Sequence, residues 1–206
     1  MQTDWTRHWR TMHGGLLWKF WVWRITRSYR KMLEGLKLEN PSILELGSGS
    51  GSNSFYLAKL LDSKNVTLVD SNKKALRLSK ELFKNSGLRL KLEAQELLKL
   101  KLKEKFDLVH SEGLIEHFYN KDRLEILRKH SQFCKKQGFM VIFLQYDCLQ
   151  YKLFRKTFEI LGKWIWDEEP LSKKEFYSYC KKLNWKILKE LESPLMSEIG
   201  FLIQKA

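Results

Sequence analysis

From Pro41 onward, short apolar runs alternate with stretches whose apolar residues recur at helical spacing, and this alternation constrains the fold more than any other feature of the chain. "SILEL", "VTLVD", "LRLKLE", "FDLVHS" and "FMVIFLQ" read as strands. Strand-helix units of this kind build a parallel sheet with helices on its faces. Asn53 to Leu61 is the first predicted helix, and Asn72 to Lys84 the second, closed near Gly87. The third is "KDRLEILRKHSQFCKKQ", with Leu124, Leu127, Ser131 and Cys134 at helical spacing and a stop at Gly138.

After the fifth strand the pattern changes. "YKLFRKTFEILGKWIW" predicts an inserted helix, and Ser172 with Glu175 forms a capping box that opens "KKEFYSYCKKL". "WKILKELES" and "IGFLIQKA" are two further strands joined by a turn around Pro194 and Met196. That connection is too short for a helical crossover, so the pair is antiparallel and the last strand of the seven is reversed. No break in composition marks a second domain. Residues 1–40 read as an N-terminal helical extension and 41–206 as one domain, with a helical insertion around 150–170.

The balance of 38 Lys and Arg against 24 Asp and Glu gives a net charge of +14. It favours an anionic neighbour such as nucleic acid, a phospholipid surface or an acidic small molecule, and is equally met by a solvated, Lys-rich surface. Cys134, Cys148 and Cys180 are far apart and form no C-x-x-C pair. They fit the core of a reduced, cytoplasmic protein better than a disulfide frame or a zinc site. "LLWKFWVWRI" is interrupted by Lys19 and Arg24, which rules it out as a membrane span, and the N-terminus lacks the features of a signal peptide.

The first strand ends in "ILELGSGSG", with Gly47, Gly49 and Gly51 on alternate positions. A glycine turn between a strand and a helix lets a ligand approach the backbone and meet the N–H groups at the helix start. The dinucleotide pattern needs a third glycine where Ser52 stands, and a phosphate-binding loop needs a Gly-Lys-Ser/Thr that does not follow. Asp70 ends the second strand, where a carboxylate can accept both hydroxyls of a ribose. The alternatives are a turn without a ligand and an N-cap role for Asp70.

Together, E-x-G-x-G-x-G, the second-strand acid and "FDLVHSEGLIEHF" on the fourth strand resemble the class I S-adenosylmethionine-dependent methyltransferases, in particular the type-11 branch, over Pro41 to Gln145. The resemblance implies a Rossmann-like three-layer α/β sandwich with S-adenosyl-L-methionine as cofactor. It implies that Gly47, Ser48 and Gly49 pass under the methionine part, with Glu45 fixing the turn or facing the amino group. Asp70 would hold the ribose with Ser71 beside it, Gln95 and Glu96 would stand at the adenine, and Ser111 and Glu112 would line the methionine end. At the adenine position the family usually has an acid; here "EAQEL" departs from it.

Methyl transfer is a displacement at carbon, so the protein mainly supplies alignment. If the nucleophile carries a proton, His117 in "IEHF" is the best placed base; the alternative is a packing or capping histidine. Glu116, Tyr119 and Tyr146 are weaker candidates for substrate contact. Enzymes that methylate amino groups of nucleic-acid bases carry an Asn/Asp-Pro-Pro-aromatic motif where this chain reads "SEGL", and no cysteine here stands in the Pro-Cys context of pyrimidine carbon-5 methylation. Nucleic acid is therefore the less favoured acceptor.

Five of the eight tryptophans, Trp5, Trp9, Trp18, Trp21 and Trp23, precede Arg24. Trp18, Trp21, Ile25, Tyr29 and Met32 share one helical face, with Arg24, Arg27, Arg30 and Lys31 beside or opposite it. Such a helix can pack on the sheet, lid an apolar small-molecule pocket, or rest on an anionic membrane to reach a lipid or quinone. Stacking on single-stranded nucleic acid lacks a supporting motif. The reading is a methyltransferase for a small apolar acceptor; the alternatives are a membrane-peripheral lipid methyltransferase and a non-catalytic cofactor- or nucleic-acid-binding module.

Overall fold

The computed structural model describes residues 16–164, 166–193 and 197–205. In chain order its elements are α1 (Leu16–Leu33), β1 (Ile43–Leu46), α2 (Ser52–Leu60), β2 (Asn65–Val69), α3 (Lys73–Phe83), β3 (Arg89–Glu93) and β4 (Phe106–Glu112). There follow α4 (Asn120–Phe133), β5 (Cys134–Gln145), α5 (Leu149–Ile160), α6 (Lys173–Lys182), β6 (Trp185–Ser193) and β7 (Glu198–Lys205), with 3-10 turns at Leu97–Lys99 and Ile115–His117. The seven strands lie in the order β3-β2-β1-β4-β5-β7-β6. β1 to β5 are parallel, and β7 runs antiparallel to both β5 and β6. The reversed strand follows from the short β6–β7 connection; its turn at Pro194 and Met196 lies outside the described residues.

Because successive side chains of a strand point to opposite faces, each strand feeds two cores. Ile43, Leu68, Leu108 and Val141 pack with α1, α2 and α3 through Ile25, Tyr29, Leu57 and Phe83. Leu44, Val69, Val109 and Ile142 pack on the opposite face with Ile126, Leu127 and Phe133 of α4 and Phe176 of α6. The result is the expected three-layer α/β sandwich. α1 buries Val22, Ile25, Tyr29, Met32 and Leu33, and it turns Arg24 inward to Glu198 at 2.5 Å. Trp5, Trp9 and the side chain of Trp18 lie outside the described residues.

Two helix boundaries differ from expectation. α4 ends at Phe133 instead of continuing to Gly138. Cys134 is already extended and pairs with Phe106 of β4, so the sheet takes up the backbone groups that a longer helix would have used. Gly138 permits the close approach: a Cβ there would lie 2.9 Å from the Asp107 carbonyl oxygen. The inserted helix, α5, spans Leu149–Ile160 and does not reach Trp166. Gly162 turns the chain with φ +63°, and Trp164 then folds back to meet Tyr151 edge-on at 6.1 Å.

Candidate active site

The candidate site lies at the C-terminal ends of β1, β2 and β4, where the first loop of a parallel sheet meets a helix start. Gly47, Gly49 and Gly51 take φ values of +69°, +50° and +71°, so all three occupy left-handed conformations. A Cβ on Gly51 would come within 2.4 Å of Leu68 Cδ1. The turn is held from β2: the Gly49 N–H donates to Asp70 Oδ2 at 2.7 Å, and the Asn72 N–H donates to Asp70 Oδ1 at 2.7 Å. Asn72 itself caps α3 by accepting from Lys74 and Ala75. Asp70 is thus a half-buried brace between two turns and not the helix cap. Its carboxyl sits above the usual range because of burial, against which the two N–H donors pull it down.

Glu45 is buried beneath the turn and accepts from Ser54 Oγ at 2.7 Å. Burial raises it to about 8. Ser54 Oγ is also 2.8 Å from His110 Nε2, and the other ring nitrogen, Nδ1, is 2.7 Å from the Tyr29 hydroxyl. Burial holds His110 down at about 3, so the ring is neutral. Two buried polar atoms at the turn, Ser48 Oγ and Asn53 Oδ1, have no hydrogen-bond partner among the described residues. Buried polar atoms are normally paired, so an orphaned pair flanking a glycine turn fits a polar ligand that completes it.

The remaining predicted site residues are distributed unevenly. Ser71 is exposed beside Asp70. Gln95 donates to Glu93 at 2.9 Å, and exposed Glu96 pairs with Lys99 at 2.6 Å. Ser111 points to the opposite face of the sheet, where its hydroxyl is 2.9 Å from His130 Nε2. Glu112 points toward α1 and Glu198; burial first and the Glu198 charge second hold its carboxyl well above the usual range, with Arg24 opposing. Glu116 is fully buried, is raised to about 8 by burial and accepts from the Gln145 N–H at 3.2 Å. Tyr146 is also buried.

His117 lies in the 3-10 turn that follows β4, with Nδ1 3.0 Å from Asp167 Oδ1. Burial lowers the imidazole and the Asp167 contact partly offsets it. The Tyr119 hydroxyl donates to the Asp167 carbonyl. Sequence reasoning missed Asp167, because the contact spans 50 residues and depends on how the insertion folds back. It missed His110 as well, because β4 also carries Asp107, Ser111 and Glu112 and nothing local marks the buried ring among them.

Residues 43–138 match the protein family described as "Methyltransferase domain". This stretch of the chain is similar to a methyltransferase domain, and it contains the motifs that resemble the class I S-adenosylmethionine-dependent methyltransferases. The chain is 30% identical over 138 residues to the ribosomal RNA small subunit methyltransferase G of Caldicellulosiruptor bescii, covering 64% of this chain and 55% of that protein. It is 47% identical over 45 residues to the release factor glutamine methyltransferase of Fusobacterium nucleatum, covering 22% of this chain and 13% of that one. The chain therefore spans about half or less of the length of these curated relatives. In fold it is similar to magnesium protoporphyrin IX methyltransferase from Synechocystis with bound S-adenosylhomocysteine, with a TM-score of 0.76, 14% identity and coverage of 98% and 94% of the two chains. It is also similar to an N-methyltransferase of Bradyrhizobium japonicum in complex with S-adenosylhomocysteine, with a TM-score of 0.69, 14% identity and 95% of each chain covered.

Proposed function

We propose that this methyltransferase moves a methyl group to a small apolar acceptor by direct displacement, with the cofactor on the glycine turn and the acceptor entering between α1 and the α5 insertion. S-adenosyl-L-methionine, when bound, supplies a methyl group on a sulfonium. The chain's own residues do the rest. Gly47, Ser48 and Gly49 bring backbone to the methionine part, and Ser48 Oγ and Asn53 Oδ1 give up their orphaned state there. Asp70 takes the ribose hydroxyls by exchanging its bond to the Gly49 N–H. Gln95 and Glu96 take the adenine, with Ser71 beside Asp70 at the ribose. Glu112 closes the methionine end, while Ser111 supports it from the other face. His117, aligned by Asp167, takes the proton of a hydroxyl or acidic-carbon nucleophile.

The observation that carries this reading is the pair of orphaned polar atoms on a left-handed glycine turn braced by Asp70. It is tested by titrating the protein with S-adenosylhomocysteine in a calorimeter, with NAD as control. Micromolar binding of the first and none of the second is expected. Binding without methyl transfer to any acceptor class would instead support a cofactor-binding module. The nucleic-acid acceptor stays less favoured, since "SEGL" replaces the amine-binding motif.

A second reading, a membrane-peripheral methyltransferase for a lipid or quinone, is favoured by the outer surface of α5. Leu149, Leu153, Phe154, Ile160 and Leu161 are exposed there, with Lys152 and Lys156 among them. An apolar helix face rimmed by cations suits an anionic lipid surface. No described helix is long and apolar enough to cross a membrane.

A further inference from the structure

Four buried side chains run from α1 to the root of the glycine turn, and of these only Glu45 has a role above. Tyr29 lies on α1, His110 on β4, Ser54 on α2 and Glu45 on β1, and none is more than 2% exposed. Three contacts join them: Tyr29 hydroxyl to His110 Nδ1 at 2.7 Å, His110 Nε2 to Ser54 Oγ at 2.8 Å, and Ser54 Oγ to Glu45 Oε2 at 2.7 Å.

The protons can be counted. A neutral imidazole has one N–H, a serine and a tyrosine one O–H each, and Glu45 accepts at Oε2, so that any carboxyl proton sits on its other oxygen and three hydrogens serve the three bonds. If Ser54 donates to Glu45, it must accept from His110 Nε2–H, and Nδ1 must then accept from the Tyr29 O–H. All three bonds point the same way, toward Glu45. Removing the hydroxyl of Tyr29 therefore releases the His110 ring and leaves a buried acceptor unpaired, and that loss reaches Ser54, in the first turn of the helix that follows Gly51.

The two ends of the chain have unequal support. Glu45 and Ser54 are fixed by β1 and α2, which are locked into the sheet core. α1 reaches the same core from the N-terminal extension, through Ile25, Tyr29 and Met32. Ring packing holds Tyr29 independently of its hydroxyl: it meets Phe143 edge-on at 5.0 Å and His110 edge-on at 5.3 Å. A phenylalanine at this position keeps those contacts and loses only the bond.

We propose that Tyr29 and His110 are positioning residues for the cofactor: through Ser54 and Glu45 they transmit the docking of α1 to the glycine turn, so that the N-terminal extension sets cofactor affinity without touching the cofactor. The inference rests on the glycine turn being the cofactor site. Its elements are all in the described structure, and the groups facing Glu45 are known: Ser54 and Asn53 from α2, with Asp70 at the end of β2 adding a like charge.

The test is a double-mutant cycle on the full chain, read by calorimetric titration with S-adenosylhomocysteine and by thermal unfolding. Tyr29→Phe is expected to weaken binding about fivefold or more, the range of a lost hydrogen bond. His110→Gln, which can keep the donor to Ser54 and loses the acceptor for Tyr29, is expected to weaken binding similarly, with no further loss when the two are combined. In a Glu45→Gln background, Tyr29→Phe is expected to change affinity by less than about twofold. A purely structural hydroxyl would lower the unfolding temperature and leave affinity unchanged, which overturns the inference. Equal weakening in both backgrounds also overturns it, because the effect would then bypass Glu45. If the unsubstituted protein binds no S-adenosylhomocysteine, the cofactor reading itself fails and takes this inference with it. If it binds and only Tyr29→Phe is silent, the cofactor reading stands alone.

Discussion

α2 and α5 both follow the C-terminal end of a strand in this sheet, yet they treat their surfaces in opposite ways. α2, nine residues long, buries six of them, three polar. Among these, Ser54 is paired on two sides, while Asn53 keeps one orphaned oxygen. α5, twelve residues long, buries Tyr151 alone and leaves Leu149, Leu153, Phe154 and Ile160 exposed. The first helix thus largely completes its apolar packing within the fold and leaves only polar atoms unpartnered, whereas the second presents apolar surface that burial against something else would stabilise.

The comparison can be broken most forcefully at Gly51. Gly51→Ala should destabilise the fold by about 2–5 kcal/mol, from about 1–2 kcal/mol of left-handed strain and about 1–3 kcal/mol of overpacking against Leu68. Denaturant unfolding measures it, and a change within 0.5 kcal/mol would mean that the turn tolerates ordinary backbone. On the acceptor side, His117→Ala should slow turnover about a hundredfold while S-adenosylhomocysteine affinity stays level, with Asp167→Asn following in the same direction. Full activity of the alanine variant removes His117 as the base.

Smaller effects sharpen the same contrast. Asp70→Ala should weaken S-adenosylhomocysteine binding by about tenfold, about 1.4 kcal/mol, and unchanged calorimetric affinity would sink the ribose assignment. Glu45, raised to about 8, is largely protonated in the free protein at neutral pH. The positive charge of the cofactor favours the ionised form, so binding releases a proton and affinity rises with pH toward about 8, then levels off. Titrations across that window should show the slope, and Glu45→Gln should flatten it. Least of all, Leu153→Glu, far from the turn, should leave cofactor binding unchanged and reduce sedimentation with anionic phospholipid vesicles several-fold. Equal sedimentation of the variant would remove α5 as a lipid contact.

Local pattern was enough to predict the seven strands, the reversed last one, the Ser172 cap and the glycine turn, because each depends on residues within a few positions of one another. The Ser172 hydroxyl does accept from the Glu175 N–H at 3.1 Å. Helical spacing misled at Cys134, where a neighbouring strand competes for the same backbone groups. It misled again past Ile160, where a left-handed glycine outweighs the apolar run.

What the sequence by itself determined is the order of elements and the glycine turn: alternating periods fix the sheet, and three alternate glycines before a helix, with an acid one strand away, mark where it opens. Only the tertiary structure decided which side chains meet. Tyr29 and His110 are 81 positions apart, and His117 and Asp167 are 50 apart. Pairs so distant carry no local signal, since their contact depends on how α1 docks on the sheet and how the insertion folds back over β4. Burial then sets their chemistry, making an ordinary glutamate a weak acid and an ordinary histidine a neutral link.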